Sequence, residues 1–187
     1  MNKGISSLSD FLSNKKCGAL HFSLLAAVLL LQAGCTIKGN GYSFQGISIP
    51  ADVNTFYVEL FDNQAPSAVP TLPRDFTELL KDKIRRETRL QYNDTEPDVE
   101  FSGAVTGFRV SAEAPKAGEQ IGFNKLTITM TVNFKNNKNE KANWKQQFSF
   151  EDFFGANQNL LDVQEGLIEN INKELAERIF NRAFTNW

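Results

Sequence analysis

Histidine and cysteine are nearly absent from this 187-residue chain: His21 is the sole histidine, and Cys17 and Cys35 are the two cysteines. All three lie within the first 35 positions, so the rest of the sequence offers neither imidazole nor thiol. That excludes a histidine-based triad, a cysteine nucleophile and the usual zinc sites, each of which needs those side chains. Disulfide bonds are excluded with them. A surplus of basic residues is also missing, with 20 Lys and Arg against 22 Asp and Glu. General nucleic-acid binding, which depends on neutralising phosphates, is therefore not expected. There is no internal repeat, no low-complexity tract, no Gly-rich phosphate loop and no acidic pair in a recognisable catalytic motif. The chain reads as a non-enzyme that needs no metal or cofactor.

What is present begins with an address. Lys3, Lys15 and Lys16 precede an apolar run from Gly18 to Leu31, interrupted by His21 and Ser23, and Gln32-Ala33-Gly34-Cys35 follows. The run is shorter than the roughly 20 residues a membrane span requires and ends in small residues, as a cleaved signal does. Small residues before a cysteine resemble the bacterial lipobox, although Gln32 stands where leucine is usual. Residues 1–34 are thus expected to be a lipoprotein signal peptide cut between Gly34 and Cys35, with palmitate-type acyl chains on Cys35. Two or three chains at about 0.8 kcal/mol per buried CH₂ make a stable membrane anchor. Residues 35–41 form a short tether before ordered sequence starts at Tyr42. Six extended residues reach at most about 20 Å, which keeps the domain beside the membrane.

Residues 42–187 are long enough for one domain with a real core. Val53 to Phe61 predicts a strand with Phe56, Val58 and Leu60 on one face, and Asp62 to Leu72 a proline-marked loop. A helix follows, with Thr71 as candidate cap, Pro73 in its first turn, and Phe76, Leu79, Leu80 and Ile84 as its apolar stripe. Lys81, Lys83, Arg85, Arg86 and Arg89 crowd its later half, as an anion-binding face or as a solvated face suited to the negative helix end. Asp98 to Ala112 is a strand whose apolar parity switches near Thr106-Gly107, the mark of a β-bulge. Residues 111–122 form a polar loop. Leu126, Ile128, Met130, Val132 and Phe134 then alternate with polar residues, and Trp144, Phe148 and Phe150 continue the pattern on a partner strand. Leu160, Val163, Leu167, Ile168, Ile171, Leu175, Ile179 and Ala183 form a long helical stripe that can cover the greasy face. The expected architecture is α+β: a two-layer sandwich of two helices on one face of a mainly antiparallel or mixed four-stranded sheet, in the order strand-helix-strand-strand-strand-helix.

Several segments taken in order resemble the LptE lipopolysaccharide-assembly family in its Bacteroidetes-like form. They are Tyr42-Ser43-Phe44 with Gly46 and Ser48-Ile49-Pro50, Thr71-Leu72 leading into Phe76 to Lys83, Thr88-Arg89-Leu90, Asn124 to Thr129, Gln158-Asn159-Leu160 and the ending Asn186-Trp187. The resemblance implies a lipid-anchored protein on the periplasmic face of the outer membrane. It also implies partnership with the LptD β-barrel, whose lumen it partly plugs, in delivering lipopolysaccharide to the cell surface, by binding and without covalent chemistry. Within that picture Arg109, Lys116 and Lys125 are the candidates for lipopolysaccharide phosphates, as charge-assisted donors or as plain solvent-facing residues. Tyr42, Phe44 and Trp187 are candidates for the barrel wall or for packing. Apart from the resemblance, a stand-alone periplasm-facing lipoprotein that binds or inhibits another envelope component stays open.

Overall fold

A computed structural model of the chain describes residues 46, 48–114 and 122–185. The leader, Cys35, the tether, Tyr42, Phe44, Lys116 and Trp187 lie outside the described residues. The described residues form one compact unit.

The elements run β1 (Thr55–Val58), β2 (Asp62–Asn63), α1 (Leu72–Glu87), β3 (Gln91–Tyr92), β4 (Val99–Glu113), β5 (Phe123–Asn136), a 3-10 turn (Glu140–Ala142), β6 (Trp144–Gly155) and α2 (Leu160–Phe184). The class is α+β as expected, but among the described residues the sheet has six strands and not four. Its order is β3-β1-β4-β5-β6, with β2 also paired to β4. The strands β1, β2 and β3 pair in parallel, whereas β4, β5 and β6 are antiparallel. The additional strands are two residues each. Such pairings are fixed by distant partners and leave no period in the local sequence.

The first strand is shorter than its composition predicts. Val58 is its last residue, and Leu60, expected inside, is 61% exposed. The ladder continues for one bond, Glu59 N–H to the Phe101 carbonyl, and then the chain turns. Phe61 takes the inward place: its ring meets Phe76 edge-on at 5.0 Å and its N–H donates to the Thr77 hydroxyl. Thr71 sits at the N-cap of α1 but makes no side-chain cap bond; Pro73 and Asp75 occupy the first turn as expected.

The core is the meeting of two periodicities. Leu126, Ile128, Met130, Val132 and Phe134 on β5 are fully buried, with Phe101 and Val105 of β4 beside them. The register of β4 against β5 shifts between Val105 and Gly107, so the parity switch is a real bulge. Over this face lie Phe76, Leu80 and Ile84 of α1 and Leu167, Ile171, Leu175, Ile179 and Ala183 of α2. A second buried row on α2, including Ala176 and Phe180, has no counterpart in the sequence reading. It exists because α2 packs on α1 as well as on the sheet, and a helix with two neighbours buries a wider face. Asn159 caps α2 by accepting from the Leu161 N–H. Among the described residues no helix is long and apolar enough to cross a membrane.

Candidate functional site

With both helices on one face, the other face of the sheet is open among the described residues. The strand registers lay it out in rows across β4, β5 and β6: Ser102–Asn133–Lys145, Ala104–Thr131–Gln147, Gly107–Thr129–Ser149, Arg109–Thr127–Glu151, Ser111–Lys125–Phe153 and Glu113–Phe123–Gly155. The alternation that makes Leu126 to Phe134 a core makes their neighbours a polar floor. The floor is cross-linked locally: Thr129 and Ser149 share a hydroxyl bond of 3.1 Å, and Asn133 donates to Ser102 at 3.4 Å. Two shallow grooves run over it where β2 and its flanking residues overhang. One is about 590 Å³, lined by Glu59, Asp62, Gln64 and Lys145 among others; the second is about 540 Å³, beside Pro66, Arg109 and Lys125.

The expected phosphate candidates divide sharply here. Arg109 is exposed on this face, and among the described residues nothing pairs with its guanidinium. Lys125 is already held, with its ammonium 2.7 Å from Glu113 and 3.3 Å from Glu151. Those two carboxylates, Glu113 first, hold its pKa above the ordinary lysine value. The structure brings Arg109 and Lys125 to adjacent rows of one face; Lys116, Gly34 and Cys35 lie outside the described residues. Glu113 and Glu151 were not singled out from sequence, nor was the exposed pair Phe123 and Phe153 that flanks Lys125. Parity alone would have placed Phe123 on the Lys125 face, because positions 123, 125 and 127 point the same way on a strand.

The basic run on α1 is mostly consumed internally. Lys81 pairs with Glu78, Arg85 with Asp82, and Arg89 donates to the Pro50 carbonyl. Lys83 is buried between the helices, bonded to Glu87 and to Glu177 of α2. Burial pulls its pKa down, but the Glu177 and Glu87 bonds outweigh this and hold it above its usual value. This face staples the helices together and makes a poor anion site. Among the described residues, no cluster of three or more metal-ligating side chains occurs.

The site also has a position relative to the chain's entry. Ser48 N–H bonds to the Phe184 carbonyl, and Phe184 packs on Phe134, opposite Trp144. From that row to the Lys125–Phe153 row is a climb of nine strand residues, about 30 Å.

A family model named LptE and described as lipopolysaccharide-assembly matches residues 53–183. A comparison with curated proteins finds no match. Among solved structures the chain is similar to a minor lipoprotein from Acinetobacter baumannii, at 12% identity, TM-score 0.46, covering 69% of this chain and 91% of that one. It is also similar to PelC from Paraburkholderia phytofirmans, a dodecamer, at 11% identity, TM-score 0.46, covering 74% and 94%. Lipoprotein B from Nitrosomonas europaea matches at 13% identity, TM-score 0.45, covering 76% and 88%. Likenesses at that level carry no functional weight.

Proposed function

Because the chain belongs to the LptE lipopolysaccharide-assembly family, whose members are non-enzymatic lipoproteins, we propose that it is an outer-membrane lipoprotein that partners and plugs an LptD-like β-barrel and binds lipopolysaccharide in transit. The match across nearly the whole of the described unit is the observation that carries this reading. In it, acyl chains on Cys35 hold the base of the domain at the periplasmic surface. The open face of the sheet then carries Arg109 about 23 Å and the Lys125 cluster about 30 Å away from the point where the chain enters. A lipid A phosphate would meet Arg109 first, since among the described residues that guanidinium has no carboxylate to leave. Lys125 would join by exchanging Glu113 or Glu151 for phosphate, a trade between like charges that costs little at an exposed site. Phe123 and Phe153 beside it offer an apolar surface to acyl chains, and the hydroxyl- and amide-lined grooves suit sugar hydroxyls.

The test is depletion of the protein in its own cells, followed by measurement of lipopolysaccharide accessible at the cell surface. Loss of surface lipopolysaccharide with its build-up in inner compartments is expected. An unchanged surface level under full depletion contradicts the proposal.

A further inference from the structure

We propose that the outer edge of β6 is a docking site for an extended, acidic polypeptide strand, which it takes as a seventh strand of the sheet. The strand β6 pairs with β5 over twelve consecutive positions without a break in register and, among the described residues, ends the sheet on that side. Proteins ordinarily blunt such an edge with proline, a bulge or a short strand. The segment Trp144 to Gly155 contains no proline and no bulge.

The hydrogen-bond phase tells which backbone groups are free. The Ala156 N–H donates to the Gly122 carbonyl, so the even-numbered residues of β6 bond to β5. The N–H and C=O of Lys145, Gln147, Ser149, Glu151 and Phe153 therefore point away from the sheet. Toward the far end that edge is closed by the chain itself: Phe153 N–H donates to the Asp152 carboxylate and Gly155 N–H to the Gln158 side chain. From Lys145 to Glu151, a length of about 20 Å, one outward group is occupied among the described residues. The Ser149 carbonyl accepts from the Arg178 guanidinium at 3.4 Å. An arginine from α2 thus stands where a partner strand's N–H would be.

Charge selects the occupant. On the helix-facing side, Arg178 lies 4.6 Å over the Phe150 ring, and Arg182 lies 5.5 Å over Trp144 while donating to Gln146. Neither has a carboxylate partner among the described residues. A strand laid antiparallel to β6 places its residues opposite Gln146 and Phe150 directly beneath these guanidiniums. Acidic side chains at those two positions would pair with them and release the Ser149 carbonyl to the ladder. Main-chain bonds then supply affinity and the arginines specificity.

The test uses the full chain in detergent and a short capped peptide of threonines alternating with valine and glutamate, its two glutamates spaced as Gln146 and Phe150 are. A control peptide carries lysines in their place. Amide exchange at Lys145, Gln147, Ser149 and Glu151 should slow with the acidic peptide and much less with the lysine peptide. Gln147→Pro removes an outward N–H without touching a bond to β5, so it should weaken binding by about tenfold or more. The double variant Arg178→Glu with Arg182→Glu, which leaves the backbone intact, should reverse the preference between the peptides should the proline variant fail to fold. No protection with either peptide, equal protection with both, or protection elsewhere in the chain overturns the proposal.

Discussion

Removing the two carboxylates that occupy Lys125 should make the protein bind lipopolysaccharide more tightly. In the double variant Glu113→Gln with Glu151→Gln, the local charge of Arg109, Lys125 and these two groups rises from zero to plus two. Lys125 sits 2.7 and 3.3 Å from them, so a phosphate arriving at Lys125 lies about 6 Å from each carboxylate carbon. At that range and in water each repulsion is about 0.7 kcal/mol, and the pair together change affinity by about tenfold. Fold stability should hardly move, because solvent screens exposed ion pairs and side-chain entropy opposes them. The assay is titration of the purified full chain with fluorescent lipopolysaccharide at low ionic strength, repeated at high salt, where screening should erase most of the gain. Binding that is unchanged or weaker in the double variant would refute this face as the phosphate site. So would a gain that survives high salt.

Three further outcomes follow from named contacts. Arg109→Ala should weaken the same titration by roughly tenfold or more, the loss of one charge-assisted bond, with a melting curve like the parent's. Gly103→Ala should destabilise by about 1–3 kcal/mol in urea unfolding, since an added Cβ would press on the Thr131 carbonyl oxygen and sit 2.8 Å from the Phe61 ring; a neutral result would contradict the packing of Phe61. Asp98 accepts from the Asn54 and Thr55 N–H groups at 2.8 and 3.0 Å and pairs with Lys138. Burial pushes its pKa up, but those bonds overcome this and leave it below the ordinary carboxylate value. Its contribution to stability is therefore complete above the unfolded carboxyl's range and fades as pH falls through the lower folded value. Asp98→Asn should cost about 1–3 kcal/mol near neutrality, and the difference from the parent should shrink in strong acid; a constant difference down to about pH 2 would contradict the assignment.

The sequence was most legible where one physical cause dominates over many residues. The alternation from Leu126 to Phe134 is fully buried as expected, and of the stripe from Leu160 to Ala183 the residues from Leu167 on are buried except Ile168, which with Leu160 and Val163 packs half-buried against the core. The bulge near Gly107 was visible because a parity switch affects every residue beyond it. Leu60 failed for the opposite reason. Its place depends on the chain leaving the ladder after Glu59, which is decided by Phe61 finding Phe76. Both two-residue strands are set by partners tens of positions away. At the candidate site, Arg109 and Lys125 were identifiable as cations, yet their difference was not: Glu113 and Glu151 come from other strands, and register alone brings them to Lys125. Lys83 looked like its neighbours on α1 until Glu177 of α2 was placed beside it.

As proposed, this chain works as the companion of an outer-membrane barrel. Gentle detergent extraction of outer membranes, followed by affinity purification of the full-length protein and quantification of what accompanies it, tests that directly. An LptD-like barrel in one-to-one amount is the expected result. Recovery of the protein alone, under conditions that leave other barrel complexes intact, would contradict it.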